Sequence, residues 1–296
     1  MKSIRLILIF TLQLTFFLAA CSDGNKKDYL ITIKTRYGDM KAILYDQTPK
    51  HKSNFIKLAK EGYYDSLLFH RVIKDFMIQT GDPDSKGAKP GEMLGKGGPD
   101  YTIPAEIRPG LIHQKGAIAA ARQGDNINPS RASSGSQFYI VEGKVYTRPE
   151  LEAAMINYNA LYKDFNTFLQ QPENKDLMDL AIQLQKENRI DSLQKLILSK
   201  KDEIEQKFGE KYELPLTNKQ VQEYTTVGGV PHLDGAYTVF GQVIDGLDVI
   251  DKIAAVKTDS NDRPLDDVML SVTVEQMPRK KITKLYGYHY PEEKKQ

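Results

Sequence analysis

The stretch Phe69–Asp82, FHRVIKDFMIQTGD, constrains this chain more than any other, because it sets an arginine and a glutamine into an otherwise apolar pattern of period two. Side chains alternate between the faces of a strand, so Phe69, Arg71 and Ile73 share one face, and Met77 and Gln79 share one face of the next strand. Lys74 and Asp75 supply the turn between them. Arg71 and Gln79 lie at equal distances on either side of Asp75, so an antiparallel pairing centred there sets guanidinium beside amide, with Phe76 and Met77 next to them. Arg71 then becomes a fixed fork of N–H donors in an apolar wall. The alternative is a core strand whose arginine is neutralised by a buried carboxylate, since buried arginines are usually paired. Within the stretch only Asp75 and Asp82 are acidic, and both fall at turns.

This segment resembles the signature of the cyclophilins, peptidyl-prolyl cis/trans isomerases in which this arginine, the Phe-Met pair and the glutamine form the active-site floor. GSQFYIV at Gly135–Val141 is similar to the family's second signature, and HLDGAYTVFGQVIDGLDVIDKI at His232–Ile253 to its third. The three stand in family order and cover roughly residues 29–146 and 226–274. The resemblance implies a mainly β fold with α: a closed antiparallel β-barrel capped by two helices. It implies catalytic roles for Arg71 and Gln79, a proline pocket of Phe76, Met77, Tyr139, Leu233 and Tyr237, and no cofactor or metal. Ala121, Arg122, Gln137 and His232 complete the substrate contacts by the same carry-over. The family's Ala-Asn pair, which binds substrate through main-chain groups, reads Ala121-Arg122 here, so the accepted neighbours of proline are expected to differ. Tyr139 stands where phenylalanine is usual, and its hydroxyl needs a partner. His232 replaces the tryptophan that contributes to cyclosporin binding in eukaryotic relatives, which implies weak drug binding rather than lost catalysis.

At the start of the chain, Lys2 and Arg5 precede an apolar run from about Leu6 to Ala20, ending Leu18-Ala19-Ala20-Cys21. A charged n-region, a short apolar region and small residues before the break describe a secretory signal, because a spanning helix needs about 20 apolar residues. The ending resembles the bacterial lipobox, in which the cysteine becomes the lipidated first residue. Cys21 is the only cysteine in the sequence, so no intramolecular disulfide forms. An ordinary secreted protein cut nearby is the alternative. The lipoprotein reading puts residues 1–21 outside the fold, treats 22–28 as a polar tether, and expects a lipid-anchored protein of the bacterial envelope facing the periplasm or cell surface.

With 41 basic against 39 acidic residues, the net charge of +2 offers no electrostatic footprint for nucleic acid. Leu30–Asp46 reads as a hairpin, Thr48-Pro49 opens a helix, and residues 81–101 read as a long surface loop. Its GKGGPD run lacks the spacing of a phosphate-binding loop. The five histidines are scattered without metal-ligand spacing. Gly116–Ala121 and Gln137–Val141 read as strands, and Val268–Val274 as the last.

From about Arg148 to Thr226 the periodicity becomes helical. Leu151, Met155, Tyr158, Tyr162, Phe165 and Leu169 mark one stripe; Leu177, Leu180, Ala181 and Leu184 a second; Leu193, Leu196, Ile197, Ile204 and Phe208 a third. Thr217 and Gln220 form a capping box. Residues 147–225 therefore read as a helical lobe inserted into a cyclophilin-like domain of 29–146 and 226–275. The lobe is either a self-packed structural element or a lid beside the site. The tail, residues 276–296, is basic and tyrosine-rich and reads as a poorly ordered extension.

These readings describe a monomeric, cofactor-free prolyl isomerase acting on unfolded or extended proline-containing segments of exported proteins. Two other classes stay open at this point: a module that only captures proline peptides, and a structural lipoprotein that has kept only the fold. The intact Arg71, Phe76, Met77 and Gln79 set argues against both.

Overall fold

The structure, a computed structural model, describes residues 26–291. The signal and lipobox reading at Cys21 lies outside the described residues. The chain divides into two compact units: Met1–Gly143 with Leu233–Gln296, and Lys144–His232.

The first unit opens with the hairpin β1 (Lys27–Thr35) and β2 (Gly38–Leu44), then α1 (Pro49–Lys60). There follow β3 (Leu67–Leu68), β4 (Arg71–Ile73), β5 (Met77–Thr80), β6 (Thr102–Ile103), β7 (Ala117–Ala120), β8 (Ser133–Ser134) and β9 (Phe138–Val141). The second unit contributes α2 (Arg148–Ala154), α3 (Tyr158–Leu169), α4 (Lys175–Lys186), α5 (Ile190–Ser199), α6 (Lys201–Phe208) and α7 (Asn218–Thr226). The chain then completes the first unit with β10 (Val239–Asp245), α8 (Leu247–Ala254), β11 (Met269–Pro278) and α9 (Arg279–Tyr286).

Nine of the strands form one antiparallel sheet in the order β3-β11-β1-β2-β10-β7-β9-β5-β4, and β6 pairs with β8. The sheet curls but its ladder is open, which corrects the closed barrel expected from the sequence. Its edges, β3 and β4, are separated in the chain only by Phe69 and His70, and no ladder joins them. The reason lies in their other partners. Leu67 and Leu68 pair with β11, and the Val72 N–H donates to the carbonyl of Asp262 at 2.8 Å. The core inside the curl is built on Phe55, Tyr64, Phe138 and Phe240, whose rings contact one another at centroid distances of 5.0–5.8 Å. Helix α1 contributes Phe55 and Leu58 from one side, and α8 contributes Ile250 and Ile253.

One close approach fixes the strand that carries the site. Gly81, at the end of β5, has φ +93°, and a Cβ there would lie 2.2 Å from the Ser136 carbonyl oxygen. Only glycine combines that dihedral with that approach.

Both ends of the sequence reading need correction. The stretch read as a tether ends earlier, because Lys27 and Asp28 already pair with Pro278 and Met277 in the β1–β11 ladder. Asp28 is buried and accepts from Lys52 Nζ at 2.6 Å. Among the described residues, through 291, the tail is not a loose extension. Residues 276–278 finish β11, and α9 places Ile282 in a small core with Leu30, Ile43 and Met277, against which Tyr286, Tyr288 and Tyr290 pack. Ile282 and Tyr286 stand at i and i+4, a helical stripe hidden in a basic segment.

In the second unit the core is Leu161, Phe165, Phe168, Leu184, Ile197, Ile204 and Tyr212. The first expected stripe is two helices, since Ile156 and Asn157 interrupt it and the Asn157 side chain accepts from the Ala160 N–H at the start of α3. That restart shifts the phase, so Leu161 is buried and Tyr162 is exposed. Leu180 of the second stripe is exposed, while Ala181 and Leu184 of the same helix are buried. Capping boxes start α2, from Thr147 and Glu150, and α7, from Thr217 and Gln220.

Candidate active site

Strands β4 and β5 pair Arg71 with Gln79 across a turn in which Asp75 takes φ +60°, so the register read from the sequence is the one the ladder has. Arg71 Nη1 donates to Gln79 Oε1 at 3.4 Å. The amide of Gln79 is itself held, because its Nε2 donates to Gln137 Oε1 at 3.1 Å and Gln137 Nε2 donates to the Gly97 carbonyl at 2.7 Å. A run of side-chain amides thus fixes the guanidinium from below.

Neither Asp75 nor Asp82 pairs with Arg71. The Asp75 N–H donates to Glu142, and buried Asp82 caps the short 3-10 turn Pro83–Ser85. The carboxylate that faces Arg71 is Asp262, 3.5 Å from Nε, in a turn where it takes φ +62°. Sequence reasoning missed it, since nothing local ties a polar turn after α8 to a strand far earlier in the chain. The Arg71 side chain is 43% exposed, so the donor fork stands at the rim of a groove rather than inside a dry wall.

Beside Arg71 opens a cavity of about 440 Å³. Phe76, Met77, Tyr139, Leu233 and Tyr237 all line it, as do Gln79, Ala121 and Arg122. Gln137 acts one layer back, through Gln79. His232 falls in the second unit, and the cavity lining belongs to the first. Ala121 has less to offer a ligand than its family position implied: its N–H donates to Gln137 O at 3.0 Å and its carbonyl accepts from Ser134 N–H at 2.8 Å. Only the second lone pair of that carbonyl is left.

The extra hydroxyl of Tyr139 has a partner. It lies 3.1 Å from Nε2 of His113, whose Nδ1 is 2.9 Å from Asp234 Oδ1. The same carboxylate oxygen accepts the His113 N–H at 2.8 Å. A carboxylate only accepts, so in the neutral ring Nδ1 carries the proton and Nε2 accepts from the Tyr139 hydroxyl. Burial pushes the Tyr139 phenol well above its ordinary range, which keeps it a donor. The demand for a partner was readable from the sequence; His113 and Asp234 as its answer were not.

Arg122 takes the place expected of a main-chain contact and works through its side chain. Its guanidinium lies 4.4 Å from the Tyr237 ring centroid, Nε donates to Ala236 O at 2.9 Å, and Nη1 pairs with Asp125 at 2.6 Å. The side chain is 5% exposed. Hydrogen bonds from Arg131 and Arg122 hold the Asp125 carboxyl below the usual carboxylate range. Tyr237, clamped on one face, meets Tyr139 edge-on at 5.9 Å and 83°. Among the described residues no group of three or more His, Cys, Asp or Glu is placed to hold a metal ion.

Residues 30–161 and 202–274 match the family model for cyclophilin type peptidyl-prolyl cis-trans isomerase/CLD. The chain is 32% identical over 245 residues to a Streptococcus pyogenes protein that carries the name of a bifunctional phosphatase/peptidyl-prolyl cis-trans isomerase, covering 81% of this chain and 37% of that protein. It therefore spans little more than a third of that relative's length. It is also 32% identical over 248 residues to a Staphylococcus aureus protein named as a peptidyl-prolyl cis-trans isomerase, covering 83% of this chain and 91% of the relative. A solved Cryptosporidium parvum cyclophilin type peptidyl-prolyl cis-trans isomerase superposes with a TM-score of 0.47 at 21% identity, covering 86% of this chain and all of that one. This chain belongs to the cyclophilin-type peptidyl-prolyl cis-trans isomerases and is an isomerase of that family.

Proposed function

We propose that this isomerase acts on X-Pro bonds of exported or envelope proteins, assisting their folding from a lipid anchor at Cys21, with Arg71 as the donor that lowers the barrier. Amide resonance sets a rotation barrier of about 18–20 kcal/mol, and uncatalysed isomerisation takes tens to hundreds of seconds. No bond to carbon breaks, so the reaction needs neither a nucleophile nor a metal. In the twisted transition state the proline nitrogen holds a localised lone pair that the planar amide lacks. A donor aimed at that nitrogen binds the transition state selectively.

The observation that carries this reading is the Arg71 guanidinium, held by Gln79 at the edge of a cavity where Phe76, Met77 and Tyr139 supply apolar lining. Its planar fork is always charged, and a preorganised donor of this kind is worth about 3–4 kcal/mol. The twisted amide is less polar than the planar one, so the apolar lining favours it further. Gln79 orients Arg71 and leaves the outer guanidinium nitrogen free to turn to substrate. Proline-containing polypeptides in extended form suit the groove, the chain acts as a monomer, and the anchor reading rests on the Leu18-Ala19-Ala20-Cys21 ending.

The test is a protease-coupled isomerisation assay on an Ala-Pro peptide with the soluble chain from Ser22 onward. Acceleration supports the reading. A folded chain with no acceleration removes it, and peptide binding without turnover would then define a capture module. The anchor is read separately, by mass spectrometry of the expressed protein for acyl groups at Cys21.

A further inference from the structure

Helix α9 has one side in the core and one in solvent, and the two differ in charge. Ile282 is fully buried with Leu30, Ile43 and Met277, and Tyr286, one turn on, packs on the same cluster. Lys280 and Lys284 stand at i and i+4, as do Lys281 and Leu285, so these four form the outer side. All four are exposed, Leu285 by 54%. Among the described residues none of the three lysines has an ion-pair partner. In α6 and α8, by contrast, Lys201 pairs with Glu205 at 3.1 Å and Lys252 with Asp248 at 2.7 Å, each within its own helix.

The β1–β11 ladder brings two more lysines to the start of α9. Lys27 pairs with Pro278, and the Lys26 carbonyl accepts the Arg279 N–H at 2.9 Å. Both lysines are exposed. Arg279 itself is held by Asp46 and Asp28. The sequence from Arg279 to Pro291 contains no acidic residue, and the Glu292-Glu293 pair that follows is matched by Lys294-Lys295. None of the five lysines lines the cavity beside Arg71.

Lysines gathered on one surface, in a chain whose 41 basic and 39 acidic residues otherwise nearly cancel, attract an anionic partner. The path of the chain indicates which. Cys21 stands five residues before Lys26, and five residues reach at most about 18 Å. An acylated Cys21 therefore holds Lys26, Lys27 and the start of α9 within that distance of the lipid headgroups. Close to an anionic bilayer each lysine strengthens binding by about five-fold. An exposed leucine among the lysines adds apolar contact at the same interface.

We propose that Lys26, Lys27 and the outer side of α9 form a membrane-facing surface, which docks the first unit on anionic phospholipid headgroups. The choice of partner rests on the anchor reading. The surface adds to it an orientation, because an acyl tether alone leaves the unit free to turn.

The test is co-sedimentation of the chain from Ser22 onward, which carries no acyl group, with vesicles of phosphatidylcholine alone or with about one third phosphatidylglycerol. The anionic vesicles are expected to bind about 10²-fold or more tightly than the neutral ones at low ionic strength, and the margin to fade in about 0.5 M salt. Combining Lys280→Gln, Lys281→Gln and Lys284→Gln should weaken anionic binding by about 10²-fold. The same charge change in the second unit, Lys186→Gln with Lys195→Gln and Lys207→Gln, should leave it unchanged. Each variant is checked for a parent-like circular dichroism spectrum. Equal binding of the parent to the two vesicle types, or an equal loss in both triple variants, overturns the proposal. So does a DNA duplex that binds the parent as tightly as the anionic vesicles and is lost with the same three lysines. If the α9 variant does not fold, the parent's vesicle preference and its salt dependence decide alone. Mass spectrometry at Cys21 separates the two readings. Acylation without an anionic preference ends the docking surface alone, and an anionic preference without acylation ends the anchor while the surface stands.

Discussion

The Tyr139 hydroxyl lies 3.1 Å from Nε2 of His113, behind the wall of the cavity beside Arg71, and His113 is in turn held by Asp234. The pocket wall is therefore tied to the loop before β7 and the turn before β10. Tyr139→Phe keeps the ring and leaves Nε2 buried without its donor. The expected cost is about 1–3 kcal/mol in urea unfolding, with the denaturant slope unchanged. His113→Leu should cost more, because it strands the phenol and removes the imidazole hydrogen bond to the Asp234 carboxylate. Stability of Tyr139→Phe equal to the parent would show that the contact contributes nothing.

Arg122→Asn restores the residue usual in the family and is expected to be worse here. It removes the cation over Tyr237 and the bond to Ala236 O, together worth about 1–2 kcal/mol of stability. Tyr237 then loses the support on one face. In steady-state kinetics the loss should fall on KM more than on kcat if, as proposed, the ring packs against substrate and does not donate to the reacting nitrogen. A drop in kcat at constant KM would contradict this division of roles.

Stability should fall on acidification between the two His70 values. In the unfolded chain His70 titrates at its ordinary 6.5, and in the folded chain burial lowers it to about 4. Between these values the unfolded state holds the extra proton, so this stabilisation is complete above about pH 6.5 and is lost as pH falls towards 4. Its size is on the order of 3 kcal/mol. Burial of His51 lowers its value too, so it acts in the same direction. Denaturant unfolding from pH 7 to pH 4 should show the slope, and His70→Phe should flatten it.

Gly81→Ala tests the approach that fixes β5. The added Cβ would meet the Ser136 carbonyl at 2.2 Å, so the backbone must shift or the fold is lost. A loss of about 3 kcal/mol or more, or no soluble protein, is expected. Gly87→Ala is the control. Gly87 also has positive φ, +72°, but a Cβ there meets nothing within 4 Å, and its cost should stay near the intrinsic ~1–2 kcal/mol.

What could be read in the sequence is what local periodicity encodes. The Arg71–Gln79 register followed from a turn at Asp75 and alternation alone, and the hairpin of β1 and β2 and the capping box of Thr217 with Gln220 followed from equally short-range signals. What escaped depends on contacts between distant segments. Asp262 reaches Arg71 from a turn after α8, and His113 and Asp234 reach Tyr139 from two separate loops. The open sheet edge at β3 and β4 follows from hydrogen bonds to β11 and to Asp262, which no local pattern announces. The tail was misjudged because its charge outweighs its short apolar stripe, although Ile282 is fully buried.

The central claim is that the Arg71 guanidinium, oriented by Gln79, stabilises the twisted amide rather than the bound peptide. The most direct measurement compares kcat/KM and peptide affinity for the parent, Arg71→Ala and Arg71→Lys on one Ala-Pro peptide, with each variant shown to be folded. The account predicts a loss of about 10²–10³-fold in kcat/KM for Arg71→Ala, with affinity changed by only a few-fold, and little recovery in Arg71→Lys, which lacks the planar fork. An Arg71→Ala variant that keeps most of the parent rate, or loses affinity and rate in equal measure, would contradict it.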